Sequence, residues 1–105
     1  MPEKRLRLIS RWKEIVAKAA EAIKKVYPDA EVYLFGGAAE GRLTVASDID
    51  IAVVFEDPPE NRGDVLAKIW EVLEEEGVPP YYPLEVHILS REEFEKLKGS
   101  KVRLA

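Results

Sequence analysis

Along residues 5–26 the apolar side chains recur at steps of three and four. Ile9, Trp12, Val16, Ala19, Ile23 and Val26 form one stripe, which Leu8, Ile15 and Ala20 widen. Such spacing returns to the same side of an α-helix at every turn, so it predicts an amphipathic helix of about five or six turns. Pro28 and Asp29 interrupt the pattern, and EVYLF at 31–35 then reads as a short strand entering Gly36 and Gly37. After a loop through Gly41, residues 49–55 (IDIAVVF) are β-branched and apolar nearly throughout beyond Asp50, as in a strand covered on both faces. Asp57, Pro58 and Pro59 end that run. Val65, Leu66, Ile69, Trp70 and Leu73 make a second helical stripe over 62–76, with Gly77 as its stop. In YPLEVHIL at 82–89, Leu84, Val86 and Ile88 alternate with Glu85 and His87, which is the period of a third strand. Ser90 and Glu93 match a capping box that opens a last short helix through Lys98, and GSKVRLA follows as a loose tail or a docking strand.

The order helix, strand, strand, helix, strand, helix predicts a small mixed β-sheet with helices packed on one face, an α+β or α/β arrangement. With 105 residues, 47% of them hydrophobic, the expectation is one domain spanning 1–105 around a single core. No repeat or low-complexity segment divides it. The formal net charge is -4, and the lysines and arginines are scattered, which excludes a general nucleic-acid-coating surface built on clustered cations. The absence of cysteine excludes disulfides, thiolate nucleophiles and cysteine-ligated zinc. The opening MPEKRLRLISRW lacks the apolar core of a signal peptide, and no stretch approaches the roughly 18 apolar residues needed to span a bilayer. The expected location is therefore the cytoplasm, away from membranes. A charged fraction of 34% suits a heat-loving host.

Candidate chemistry gathers in GRLTVASDIDIAVVF at 41–55. Asp48 and Asp50 stand two positions apart, so on a strand both carboxylates project from one face at a separation of roughly 6–7 Å. Two such charges repel by roughly 2–3 kcal/mol at an effective dielectric of 20. Either solvent at a strand end or a divalent cation offsets that repulsion, and Mg2+ takes hard oxygen ligands of this kind. Gly36 and Gly37 form either a tight turn or a cradle where the backbone approaches a phosphate, with AAEGR after them able to make one helical turn. Neither a Walker A loop nor a dinucleotide fingerprint is present. Glu85 marks either the exposed face of an edge strand or, if its strand lies beside that of Asp50, the third acid of a cluster suited to phosphoryl or nucleotidyl transfer. His87, the single histidine, reads as a neighbour of that acid and not as a catalyst. Arg42 and Ser47 are surface and strand-entry residues that could also contact a triphosphate. Tyr81 and Tyr82, set among Pro79, Pro80 and Pro83, could make an exposed patch for a partner.

Taken together, LFGGAAEGRLTVASDIDIAVV resembles the minimal nucleotidyltransferases of the DNA polymerase beta superfamily. Gly36 and Gly37 fall on that family's turn, Gly41 on its loop glycine, Ser47 before its acid pair, Asp48 and Asp50 on its metal ligands, and Glu85 on its third acid. Gly37 stands where serine is commoner, and Glu85 where aspartate is more usual. The resemblance implies Mg2+-dependent transfer of a nucleoside monophosphate, AMP from ATP, to a hydroxyl acceptor. It assigns metal binding and catalysis to Asp48, Asp50 and Glu85, and nucleotide contacts to Gly36, Gly37, Arg42 and Ser47. Small members of this family are often antitoxins of all-helical HEPN-type toxins, and some attach AMP to a toxin tyrosine. The implied partner is therefore a helical HEPN-type protein, or else a second copy of the chain, since so short a domain is not expected to enclose both substrates alone. The alternative is a catalytically inactive antitoxin or binding module of the same fold that neutralises its partner by contact.

Overall fold

The computed structural model describes residues 11–42, 48–80 and 82–105. Its elements are α1 (Trp12–Val26), β1 (Glu31–Phe35), α2 (Gly36–Ala39), β2 (Ile49–Phe55), α3 (Arg62–Glu75), β3 (Leu84–Ser90), α4 (Arg91–Glu95) and β4 (Lys101–Arg103). The strands form one mixed sheet in the order β3-β2-β1-β4. β1 runs antiparallel to both β2 and β4, whereas β2 and β3 are parallel, joined through α3 as a parallel pair requires. The fold is the small mixed α+β architecture that the hydrophobic pattern predicts.

One face of the sheet carries most of the core. Val32, Leu34, Ile49, Ile51, Val53, Leu84, Val86 and Ile88 turn toward Val16, Ala19, Ala20 and Ile23 of α1 and Ile69 and Leu73 of α3. The alternate residues face the other side, where Ala52 and Val54 pack with Tyr33, Phe35 and Leu89 beneath Phe94 of α4. The two long helices thus share one face, and the short α4 covers part of the opposite one. The remainder of that second face is where the polar residues of β2 and β3 emerge.

Local chemistry explains the boundaries. Asn61 caps α3 by accepting from the Asp64 N–H at 3.1 Å. Ser90 and Glu93 form the reciprocal capping box that the sequence shows, and α4 then closes after Glu95 with tight bonds from Lys96 and Leu97 back to Glu93 and Phe94. β3 begins at Leu84, two residues later than the alternation suggests. The Leu84 N–H turns back to the Tyr82 carbonyl at 2.7 Å, and Pro83 has no N–H to give a ladder. Tyr82 is 4% exposed, so it belongs to the core and does not form the surface patch its proline surroundings suggest, and burial raises its phenol above the usual range. Tyr81 lies outside the described residues, as do residues 5–10 of the first helical stripe. The GSKVRLA segment docks as β4, and its pairing with β1 continues through Leu104 N–H to Val32 O at 2.7 Å. Among the described residues, no helix is long and apolar enough to cross a membrane.

A charged knot ties α4 to the sheet. Glu31 accepts from the Tyr33 hydroxyl at 2.7 Å and from Arg91, with Arg103 of β4 at 3.4 Å. The Arg91 hydrogen bond, followed by that from Tyr33, holds the Glu31 carboxyl below its ordinary value of 4.5. A depressed folded-state pKa means that this contribution is present above the unfolded value and is lost as pH falls through the folded one. Glu31→Gln is therefore expected to cost about 1 kcal/mol at neutral pH, a deficit that narrows progressively as pH falls below the ordinary carboxyl value of 4.5. Denaturant melts of both proteins across that range measure it.

Candidate active site

The sheet's topology brings three chain segments to one end of the open face. β2 and β3 begin there, and β1 ends there, because β2 is parallel to β3 and antiparallel to β1. In that register Asp50 lies directly between Phe35 on one side and Glu85 on the other, while Ala52 lies opposite His87. Period-two alternation then puts Asp50, Glu85 and His87 on the same face. Two acids set side by side repel, and the ring of His87 answers them. Its Nε2 is 3.1 Å from Asp50 Oδ1 and 3.7 Å from Glu85 Oε1. The methyl of Ala52 leaves room for the imidazole to lean toward Asp50, and the Phe35 ring meets it edge-on at a centroid distance of 5.0 Å. One ligand atom from each of Asp50, Glu85 and His87 lies within 4.8 Å of the other two. Asp50 and His87 are partly shielded, and Glu85 is open to solvent.

The glycine turn completes this end of the sheet. Gly36 has φ of +70°, in the left-handed region, and a methyl placed on it would sit 2.8 Å from Asp50 Oδ2. Gly36 is therefore required twice over, by backbone conformation and by the nearness of the carboxylate. Gly37 is under neither constraint, since its φ is not positive and an added Cβ would make an ordinary 3.8 Å contact with the Arg42 carbonyl. The turn closes with Arg42 N–H to Gly37 O at 2.8 Å. The backbone would thus accept a serine at Gly37.

The remaining candidates are less gathered. Asp48 is exposed, immediately before β2, and is not part of the three-residue group. Arg42 is exposed and reaches Glu40, Nη2 to Oε1 at 2.6 Å, and this contact, with the Ser100 N–H, holds the Glu40 carboxyl below its usual range. Ser47 lies outside the described residues. His87, read in the sequence as a bystander, touches Asp50 directly. The signal that could have singled it out is the E-x-H spacing combined with the parallel register of β2 and β3.

The donor set fits a divalent cation, with two hard carboxylate oxygens and one imidazole nitrogen converging from adjacent strands. Comparison with known proteins identifies the family. No curated protein matches the chain. A crystal structure of a candidate nucleotidyltransferase from Sulfolobus solfataricus superposes with a TM-score of 0.57 and 27% identity, covering 96% of this chain and 82% of that one. A second solved structure, also of a candidate nucleotidyltransferase, gives a TM-score of 0.57 and 31% identity over 81% of this chain and 91% of the other. The family model of the nucleotidyltransferase domain matches residues 16–104. The chain belongs to the nucleotidyltransferase domain family.

Proposed function

We propose that the chain transfers AMP from ATP to a hydroxyl acceptor, a tyrosine of a helical HEPN-type partner protein, with Mg2+ bound and pyrophosphate leaving. The observation that carries this reading is the direct strand-to-strand pairing of Asp50 with Glu85, beside a glycine turn where any added methyl would crowd Asp50 Oδ2. Asp50 and Glu85, with Asp48 at the strand entrance, would hold Mg2+, which when bound neutralises triphosphate charge and polarises the reacting phosphoryl group. Glu85 is the most exposed of the group's side chains, so it is suited to receive the acceptor's proton as the oxygen attacks the α-phosphorus and the bond to pyrophosphate breaks. Backbone N–H groups at Gly36 and Gly37 orient the phosphates. Arg42 would exchange its Glu40 contact for a phosphate oxygen, and Ser47 would add a hydroxyl donor.

The test is to incubate the chain with ATP labelled at the α-phosphate, Mg2+ and a helical HEPN-type protein as candidate acceptor. Label on a tyrosine of that protein is the expected result, with loss of labelling in the Asp48→Asn, Asp50→Asn double variant. Equal labelling by the double variant would refute the assignment. A double variant that no longer labels yet still silences the partner would separate contact from chemistry.

A further inference from the structure

We propose that His87 is itself a ligand in the divalent-cation site, and that its nitrogen gives a first-row transition ion such as Mn2+ or Zn2+ an added hold there that Mg2+, bound through the carboxylates, does not share. The inference rests on the preceding reading only for the claim that Asp50 and Glu85 face a cation. It is independent of which nucleotide or acceptor is used.

Three observations lead to it. The first is convergence: the His87 Nε2 atom, and not merely its ring, points at Asp50 Oδ1 and Glu85 Oε1. The second is spacing. Two ligands at roughly 2.0–2.2 Å from one ion lie about 3.0 Å apart across a right angle and about 3.4 Å apart at the tetrahedral angle. The observed 3.1 Å between His87 and Asp50 matches such an edge, and the 3.7 Å to Glu85 needs only a small movement of an exposed, flexible carboxylate. The third is preorganisation: Phe35 holds the ring edge-on at 5.0 Å, and Ala52 opposite it leaves the imidazole its path toward Asp50. The same 3.1 Å contact serves as a hydrogen bond when Nε2 carries the proton, and as a shared ligand edge when Nε2 is bare. Mg2+ holds to oxygen ligands and gains little from the nitrogen, whereas Zn2+ binds imidazole well and Mn2+, though closer to Mg2+ in its liking for oxygen, loses its waters more readily and accepts a nitrogen beside carboxylates.

Because His87 is the single histidine of the chain, a nitrogen signal can be assigned without ambiguity in protein free of any histidine tag. Pulsed electron paramagnetic resonance of the Mn2+-loaded wild-type chain, without nucleotide, should show modulation from a directly bound imidazole nitrogen, and His87→Ala should abolish it. Calorimetric titrations should show Mn2+ and Zn2+ binding weakened about tenfold or more in His87→Ala, with Mg2+ changed by less than about threefold. His87→Asn, which keeps a polar side chain on the strand, should weaken the same two ions and serves as the folding control. Absence of nitrogen modulation in the wild type would overturn the proposal, as would equal weakening of all three ions, which would make His87 only a positioning partner of Asp50. Nitrogen modulation in a chain that transfers no AMP would leave the ligand assignment standing and count against the proposed reaction alone.

Discussion

Asp50→Asn is expected to lower nucleotidyl transfer by about 10²- to 10³-fold, the scale of losing one preorganised charge-stabilising group, while leaving the fold intact. The substitution is isosteric, and the backbone pairing of Asp50 with Phe35 and Glu85 does not depend on its side chain. What disappears is the negative charge at the centre of the group. Asp50 is the acid nearer His87 Nε2, at 3.1 Å against 3.7 Å for Glu85, and the one whose carboxylate faces the open side of Gly36. Stability should move the other way. With two acids directly paired across adjacent strands, removing one charge relieves a repulsion of about 0.2–1 kcal/mol, so the melting temperature should hold or rise slightly without metal. Mn2+ or Mg2+ should raise the melting temperature of the wild type and have little effect on the variant. Parallel transfer assays and thermal melts with and without metal check both halves. A variant destabilised in every condition would mean that Asp50 serves the fold.

The second large effect belongs to Gly36→Ala. A non-glycine residue at φ of +70° costs about 1–2 kcal/mol, and the added methyl would lie 2.8 Å from Asp50 Oδ2. The carboxylate is the freer of the two groups, so it is the one that shifts. A displacement of about 1 Å at a reacting site is enough for a loss on the order of 100-fold, so transfer should fall well beyond what the stability change explains. Gly37→Ser is the matching control, because Gly37 has neither a positive φ nor a crowded Cβ direction. It should stay within about 0.5 kcal/mol of the wild type. Denaturant melts paired with transfer rates separate these outcomes. Equal behaviour of the two variants would remove the special role given to the Gly36 turn.

How far the sequence disclosed this arrangement follows from what each signal depends on. β2 could be read to the residue, because an apolar β-branched run between Asp50 and the Asp57-Pro58-Pro59 break leaves little choice. The Ser90–Glu93 capping box was equally visible, being a purely local chemistry. The start of β3 was not, since a backward bond from Leu84 to the Tyr82 carbonyl competes with the ladder that period-two alternation suggests. β4 has three residues and no strong pattern of its own, so its docking depends on a partner strand far away in the sequence. The same distinction governs the site. Asp48, Asp50 and the glycine turn stand close together in the chain and could be grouped by spacing. The proximity of His87 to Asp50 requires a parallel register between β2 and β3 and a small residue at Ala52, and neither is written in the neighbourhood of His87. The register also separates Asp48 and Asp50, which look equivalent in the sequence: Asp50 sits within the ladder beside Glu85, whereas Asp48 lies just ahead of it.

If the acids at this end of the sheet serve transfer of a nucleotidyl group, the position of a label in ATP decides where that label ends. The chain would be supplied with a helical protein of the proposed HEPN type, a divalent cation and ATP carrying the label at either the α- or the γ-phosphate. Label from the α-position should become attached to the acceptor, and label from the γ-position should appear in pyrophosphate. Transfer of the γ-label to the acceptor, or release of orthophosphate without any α-labelled product, would rule out nucleotidyl transfer at this site.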